Sequence, residues 1–99
     1  MQATDNELAE RALSGDHDAF ELLYERYFEQ VYDLCVRMLA DPGAAADVAQ
    51  DTFLKLLGGS GARFNGGNFR AWLLVMARNA TIGELRRRRR TRRRRAGPT

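Results

Sequence analysis

The chain of 99 residues contains one cysteine, Cys35, and one histidine, His17. A single cysteine excludes a disulfide within the chain, and one histidine with one cysteine is too few ligands for a His/Cys zinc site. We therefore expect no metal and no other cofactor. Cys35 is expected to be a small buried hydrophobe on an apolar helix face, and His17 to lie at the surface near a helix start.

Long hydrophobic runs are also missing. The longest apolar run, 71–77, has seven residues, whereas a membrane-spanning helix needs roughly 20. The first fifteen residues are acidic and lack the apolar segment of a signal peptide. The expected location is therefore the cytoplasm, and the length allows one small domain.

Acidic residues are absent from the C-terminal part of the chain. Residues 86–95 contain nine arginines in ten positions, whereas residues 1–85 contain six Arg and one Lys against thirteen acids, which leaves a net charge of −6. Blocks of like charge repel themselves and are usually disordered tails that bind polyanions. The expected division is therefore an acidic domain, 1–85, and an arginine-rich helix extension or tail, 86–99.

The alternating pattern of a β-strand is missing too, and apolar residues recur instead at helical spacings of three and four. The expected helices cover about residues 6–14, 18–40 and 44–57, with a fourth from 68 into the arginine run. Asp18 with Glu21 resembles a capping box, Pro42 is expected to end the second helix, and Asn68 to cap the fourth. The expected fold class is all-α, a small bundle of about four helices.

Two helices have a predicted inward stripe of apolar or small residues. In the third helix the stripe is Ala45, Val48, Ala49, Thr52, Phe53 and Leu56, and in the fourth it is Phe69, Trp72, Leu73, Met76 and Ala80.

The other face of the third helix carries Asp47, Gln50, Asp51 and Leu54, at spacings of three and four. Periodicity alone favours a solvated surface. Carboxylates on a helix exterior would also suit a basic protein partner, for which they set register and association rate.

The loop between the third and fourth helices contains five glycines in residues 58–67. It also supplies an aromatic ring, Phe64, and polar side chains from Arg63, Asn65 and Asn68. Recognition of a single strand needs unstacked bases held by aromatic faces and by amides on base edges. The alternatives are that the loop is a plain connector and that Phe64 packs into the core.

The fourth helix adds further nucleic-acid candidates. Arg70 and Arg78 are expected on a face that could follow a phosphate backbone. Asn79 could either contact a base or form a structural hydrogen bond within the protein. Trp72 is expected to be buried with one exposed edge. No catalytic group of residues is visible, and the chain is not expected to be an enzyme.

The order of these motifs resembles region 2 of bacterial sigma factors, most closely the extracytoplasmic-function type of the sigma-70 family. The matching segments, within residues 8–88, are DVAQDTFLKLL at 47–57, F-x-A-W-L at 69–73, ARN at 77–79 and LRR at 85–87. The resemblance implies that the third helix docks on the coiled coil of the β′ subunit of core RNA polymerase. Its docking residues would be Asp47, Gln50 and Asp51, with Leu54 and Leu57 beside them.

The resemblance also implies that the loop and the fourth helix recognise and melt the minus-ten promoter element on the non-template strand. Arg86 and Arg87 would then extend the contact along the phosphate backbone, unless the run instead starts a solvated linker. Gly67 stands where the family commonly has an acidic residue, which leaves the preferred bases open. An anti-sigma factor would be a further partner, and a helix-turn-helix domain that reads the minus-thirty-five element is not expected within 99 residues.

Two other functions remain compatible with the residues. One is a helical protein that binds nucleic acid without specificity through its arginine-rich tail. The other is a protein-interaction module, such as a target of an anti-sigma factor.

Overall fold

Four α-helices make up the chain in the computed structural model, which describes residues 3–58, Phe64 and residues 66–95, with backbone alone for 92–95. The helices are α1 (Asp5–Leu13), α2 (His17–Leu39), α3 (Pro42–Gly58) and α4 (Phe69–Arg95). No strand occurs in these described ranges, so the expectation of a small all-α bundle is confirmed. None of the helices described is both long and apolar enough to cross a membrane.

A polar side chain caps the start of each helix, because the first backbone N–H groups of a helix have no partner within it. The capping residues are Thr4, Asp16, Asp41 and Asn68. The backbone N–H of Ala71 donates to the side-chain oxygen of Asn68 at 2.9 Å, which confirms Asn68 as the cap of α4.

Two predicted helix ends were wrong. The cap of α2 is Asp16 and not Asp18, because Gly15 (φ 98°) turns the chain after α1 and places Asp16 in an extended conformation just before the helix. Pro42 does not end α2: the helix stops at Leu39, and Ala40 takes the left-handed conformation at φ 52°. Pro42 is instead the first residue of α3, where its missing N–H costs no hydrogen bond.

The core is built around α2, which packs against all three other helices. Phe53 of α3 is fully buried and is met by three aromatic rings of α2. The ring centroids of Tyr24, Phe28 and Phe20 lie 5.0, 6.2 and 6.4 Å from that of Phe53. Cys35 is buried and His17 is exposed, as expected.

The predicted inward face is confirmed for α3, all six of whose residues are buried. In α4 the fully buried line is Phe69, Leu73, Ala77 and Thr81, a strict spacing of four. Trp72, Met76 and Ala80 are only partly buried. Thr81 can enter the core because its hydroxyl donates to the carbonyl of Ala77 at 2.8 Å.

The fourth helix extends beyond the bundle. Its 27 residues correspond to roughly 40 Å at the rise of an α-helix, and the molecule measures 63 × 23 × 21 Å. Arg88 holds the helix to the turn between α2 and α3 through a 2.9 Å ion pair with Asp41. The arginine run therefore continues α4 as far as Arg95.

Candidate docking and nucleic-acid surfaces

The outer face of α3 is a continuous exposed surface, which we call the α3 stripe. Asp47, Gln50 and Asp51 are exposed, Leu54 is 50% exposed and Leu57 is half-buried. Because the opposite face of the same helix is packed into the core, the position of these side chains is fixed by the bundle. The α3 stripe thus presents carboxylates, an amide and a large apolar side chain together.

An open groove of about 820 Å³ runs between α3 and α4 beside this stripe. Asp51, Leu54 and Lys55 line it from α3, and Met76 and Asn79 from α4. The structure therefore places Asn79 next to the α3 stripe. Arg70, by contrast, bonds to α2 on another side of α4, so the candidate nucleic-acid residues do not form one patch.

Phe64 packs against the start of α4. Its ring is half-buried and lies edge-on to Phe69, with centroids 5.6 Å apart, and 5.3 Å from Trp72. Phe69 is 2% exposed and Trp72 is half-buried, as expected. Phe64 therefore sits on the rim of the core with part of its ring accessible. Arg63 and Asn65 lie outside the described residues.

The end of the loop is also held by α1. The side-chain amide of Asn6 donates to the carbonyl of Gly66 at 2.9 Å. Gly66 has φ 89°, a conformation that glycine adopts without strain. Asn68 is exposed, and its side-chain oxygen is engaged as the α4 cap. Sixty positions separate Asn6 from Gly66, and no local sequence pattern signals such a pair.

The exposed guanidinium of Arg70 is oriented by α2. Its Nε donates to the side-chain oxygen of Gln30 at 2.8 Å. Arg78 is exposed two turns further along α4, roughly 12 Å along the helix axis. Gln30 was not identified from the sequence, because an exposed glutamine on a polar helix face carries no local signal.

Tyr27, one turn of α2 before Gln30, bonds to Asp5 of α1, and Arg26 forms a 2.9 Å ion pair with the same carboxylate. Burial and the hydrogen bond to Asp5 raise the pKa of the Tyr27 hydroxyl. This network fixes α1 against α2 close to the loop that α1 holds.

The arginine run is partly engaged within the molecule. Glu84 accepts from Arg87 at 2.6 Å and from Arg88 at 3.3 Å, and Arg88 also reaches Asp41 at 2.9 Å. The hydrogen bond from Arg87 lowers the pKa of Glu84. The backbone N–H of Ala44, followed by Arg88, lowers the pKa of Asp41.

Over the ranges that the structure describes, no three His, Cys, Asp or Glu side chains are grouped so that they could hold a metal ion. The surfaces above are suited to contacts with macromolecules, through carboxylates on α3 and through rings and guanidinium groups at the start of α4.

Sequence similarity relates the chain to one protein family. The family model "Sigma-70 region 2" matches residues 23–91. The ECF RNA polymerase sigma factor BldN of Streptomyces coelicolor is 39% identical over 74 residues, which cover 74% of this chain and 28% of that protein. The ECF RNA polymerase sigma factor SigW of Bacillus subtilis is 35% identical over 72 residues, or 73% of this chain and 38% of that protein.

The RNA polymerase sigma-H factor of Pseudomonas aeruginosa is 36% identical over 84 residues, which cover 85% of this chain and 44% of that protein. The chain thus spans less than half the length of each of these three relatives. No solved structure matches it significantly.

Proposed function

Because the chain belongs to the sigma-70 region 2 family, in its extracytoplasmic-function type, we propose that it binds core RNA polymerase and recognises a promoter minus-ten element. Proteins of this family are transcription initiation factors and not enzymes. Polymer synthesis would therefore belong to the partner, and no cofactor is required. Because RNA polymerase is cytoplasmic, binding to it would place the chain in the cytoplasm.

The α3 stripe is the proposed docking surface for core polymerase, on the coiled coil of the β′ subunit. The observation that carries this proposal is its exposure: Asp47, Gln50, Asp51 and Leu54 all face solvent on a helix whose other face is buried. The carboxylates would steer a basic partner and set its register, and Leu54 would supply apolar contact. Leu57 would lie at the edge of this contact.

The start of α4 and the loop before it are the proposed reader of the minus-ten non-template strand. Phe64 and Trp72 offer ring faces for an unstacked base, and Asn68 is exposed at the cap of the same helix. Arg70 is exposed on the side of α4 that meets α2. Unpairing a base costs a few kcal/mol, which contacts in such a pocket would have to recover. Arg63, Asn65, Arg78 and Asn79 remain candidates for the same strand. Of the two arginines expected at the phosphate backbone, Arg86 is exposed and Arg87 is engaged by Glu84.

Co-purification with core RNA polymerase tests the docking proposal. A triple variant, Asp47→Ala with Gln50→Ala and Asp51→Ala, should retain little core enzyme. The matched control is Glu21→Ala with Glu25→Ala, which removes two exposed carboxylates of α2 and should bind as wild type does. Equal recovery with the triple variant and with wild type would reject the α3 stripe as the docking surface.

The same complex tests minus-ten recognition. Single strands recovered from a random-sequence pool at fixed salt should converge on a motif when the complex carries the wild-type chain. A pool that stays random would reject specific recognition and favour a helical protein that binds nucleic acid without specificity.

An anti-sigma factor covering the α3 stripe would compete with core enzyme in the first assay. The division into a 1–85 domain and an 86–99 extension is part of this proposal.

A further inference from the structure

The five consecutive arginines at 86–90 fall into two groups with different environments. Arg87 and Arg88 are tied to Glu84 and Asp41 by the ion pairs described above. Arg86, Arg89 and Arg90 are exposed, and within the described part of the chain they make no ion pair. Their separations of three and four residues place them on one side of α4. We call these three residues the arginine strip.

The side chains around the arginine strip indicate which kind of polyanion it would bind. Residues 86–91 consist of five arginines and Thr91, with no aromatic or apolar side chain. A protein partner would be expected to find apolar anchors at the centre of an interface, and a single strand would need rings on which its bases could stack. The phosphate backbone of a duplex needs neither, and it carries one charge per about 1.7 Å of helix axis.

We propose that the arginine strip binds the phosphate backbone of duplex DNA without regard to sequence, and that Arg87 and Arg88 instead anchor the helix that presents it. Asp41 lies 47 positions from Arg88 in the chain, so this pair fixes α4 against the bundle at the point where the strip begins. The strip is thus held at a fixed angle, which limits the ordering cost of binding. This binding requires neither polymerase nor a promoter, so it stands or falls separately from the function proposed above.

The test is the salt dependence of binding to a random-sequence duplex. With the whole chain, Arg86→Gln, Arg89→Gln and Arg90→Gln together should make the negative slope of log K against log salt shallower by about 2.7, since each phosphate that is no longer neutralised reduces its steepness by about 0.9. The matched control is Asp41→Asn with Glu84→Gln, Arg87→Gln and Arg88→Gln, which removes the ion pairs at constant net charge. Its slope should equal that of wild type. Circular dichroism checks that both variants fold.

A single variant tests the same division if the fourfold control unfolds. Glu84→Gln releases Arg87 and should make the negative slope steeper, by no more than about 0.9. A similar reduction of slope per arginine in both groups would overturn the proposal. So would equal affinity for a single strand of the same charge, which would point to single-stranded DNA. Displacement of the duplex by poly-glutamate at matched charge would also overturn it, and would point to an acidic protein.

Discussion

Single side chains at the start of α4 combine structural contacts with the surface that we propose to bind a nucleic acid. Asn68 caps the helix with its oxygen while its remaining surface stays exposed. The Phe64 ring packs against Phe69 and Trp72 and is half-buried, so it lies on the rim of the core and is partly accessible to solvent. At this place the requirements of folding and of binding act on the same residues.

Asn68→Ala should destabilise the protein by about 1 kcal/mol, since the mutation removes the acceptor of the Ala71 N–H. Chemical denaturation by urea measures the change in unfolding free energy. Asn68→Asp keeps the acceptor and should be close to wild type. If the alanine variant is as stable as the aspartate variant, the cap contributes nothing.

Phe64→Ala should weaken single-strand binding by the chain bound to core polymerase. Stacking of a base on an aromatic ring is worth about 1–3 kcal/mol, so the dissociation constant should rise roughly five- to 150-fold. Fluorescence anisotropy with the selected oligonucleotide measures it. Phe64→Tyr keeps the ring and serves as the control, and unchanged affinity in the alanine variant would show that Phe64 serves the core alone.

At the scale of helices, periodicity predicted what depends on neighbours in the sequence and missed what depends on distant ones. The inward face of α3 followed from spacing, because a helix that packs on one side must repeat its apolar residues every three or four positions. In α4 the predicted inward residues Met76 and Ala80 are only partly buried, and Ala77 and Thr81 are fully buried in their place. Which of two adjacent stripes of residues is buried depends on the tilt of the helix against its neighbours. That tilt is set by the whole bundle.

The candidate site divides in the same way. The α3 stripe could be predicted, since all its members lie on one helix. The contact of Asn6 with the loop and that of Gln30 with Arg70 could not. These pairs, Asn6–Gly66 and Gln30–Arg70, span 60 and 40 positions, and none of the four residues differs locally from an ordinary surface residue.

Asp41, which caps α3 and pairs with Arg88 of α4, should make the stability of the fold depend on pH. The folded-state pKa of Asp41 is lowered from 3.8, first by the N–H of Ala44 and then by Arg88. A lowered folded-state pKa stabilises the fold above the unfolded value, and that contribution is lost as the pH falls through the folded value. Thermal melting between about pH 5 and about pH 2 should therefore show a steeper loss of stability in wild type than in Asp41→Asn.

The Asp41→Asn variant keeps a side-chain oxygen for the Ala44 N–H but carries no charge there, so it isolates the ionic contribution. Parallel melting profiles for the two proteins would mean that the pair between Arg88 and Asp41 does not stabilise the fold.

Over the whole molecule, negative and positive charge are separated along the long axis. Residues 1–85 carry a net charge of −6, and all nine arginines of the run follow them on a helix that leaves the bundle. The acidic bundle and the cationic helix therefore offer separate surfaces of opposite charge.

Removal of residues 89–99 should separate these two activities, because it retains the ion pairs of Arg87 and Arg88. The shortened chain should recover core polymerase as well as the full chain does, and should lose most of its affinity for random-sequence duplex. Co-purification and electrophoretic mobility shift measure the two properties. Loss of polymerase binding in a folded, shortened chain would contradict the assignment of docking to α3.

The bond from Asn6 to Gly66 links the short helix α1 to the loop that is proposed to hold a base. A helix of only nine residues has less buried surface to lose than the longer helices, and local opening favours such segments. Each opening of α1 would release one support of the loop, so the lifetime of a captured base would be coupled to the opening of α1. A substitution of Asn6 in the first turn of α1 would thereby shorten the lifetime of a captured base without touching the DNA.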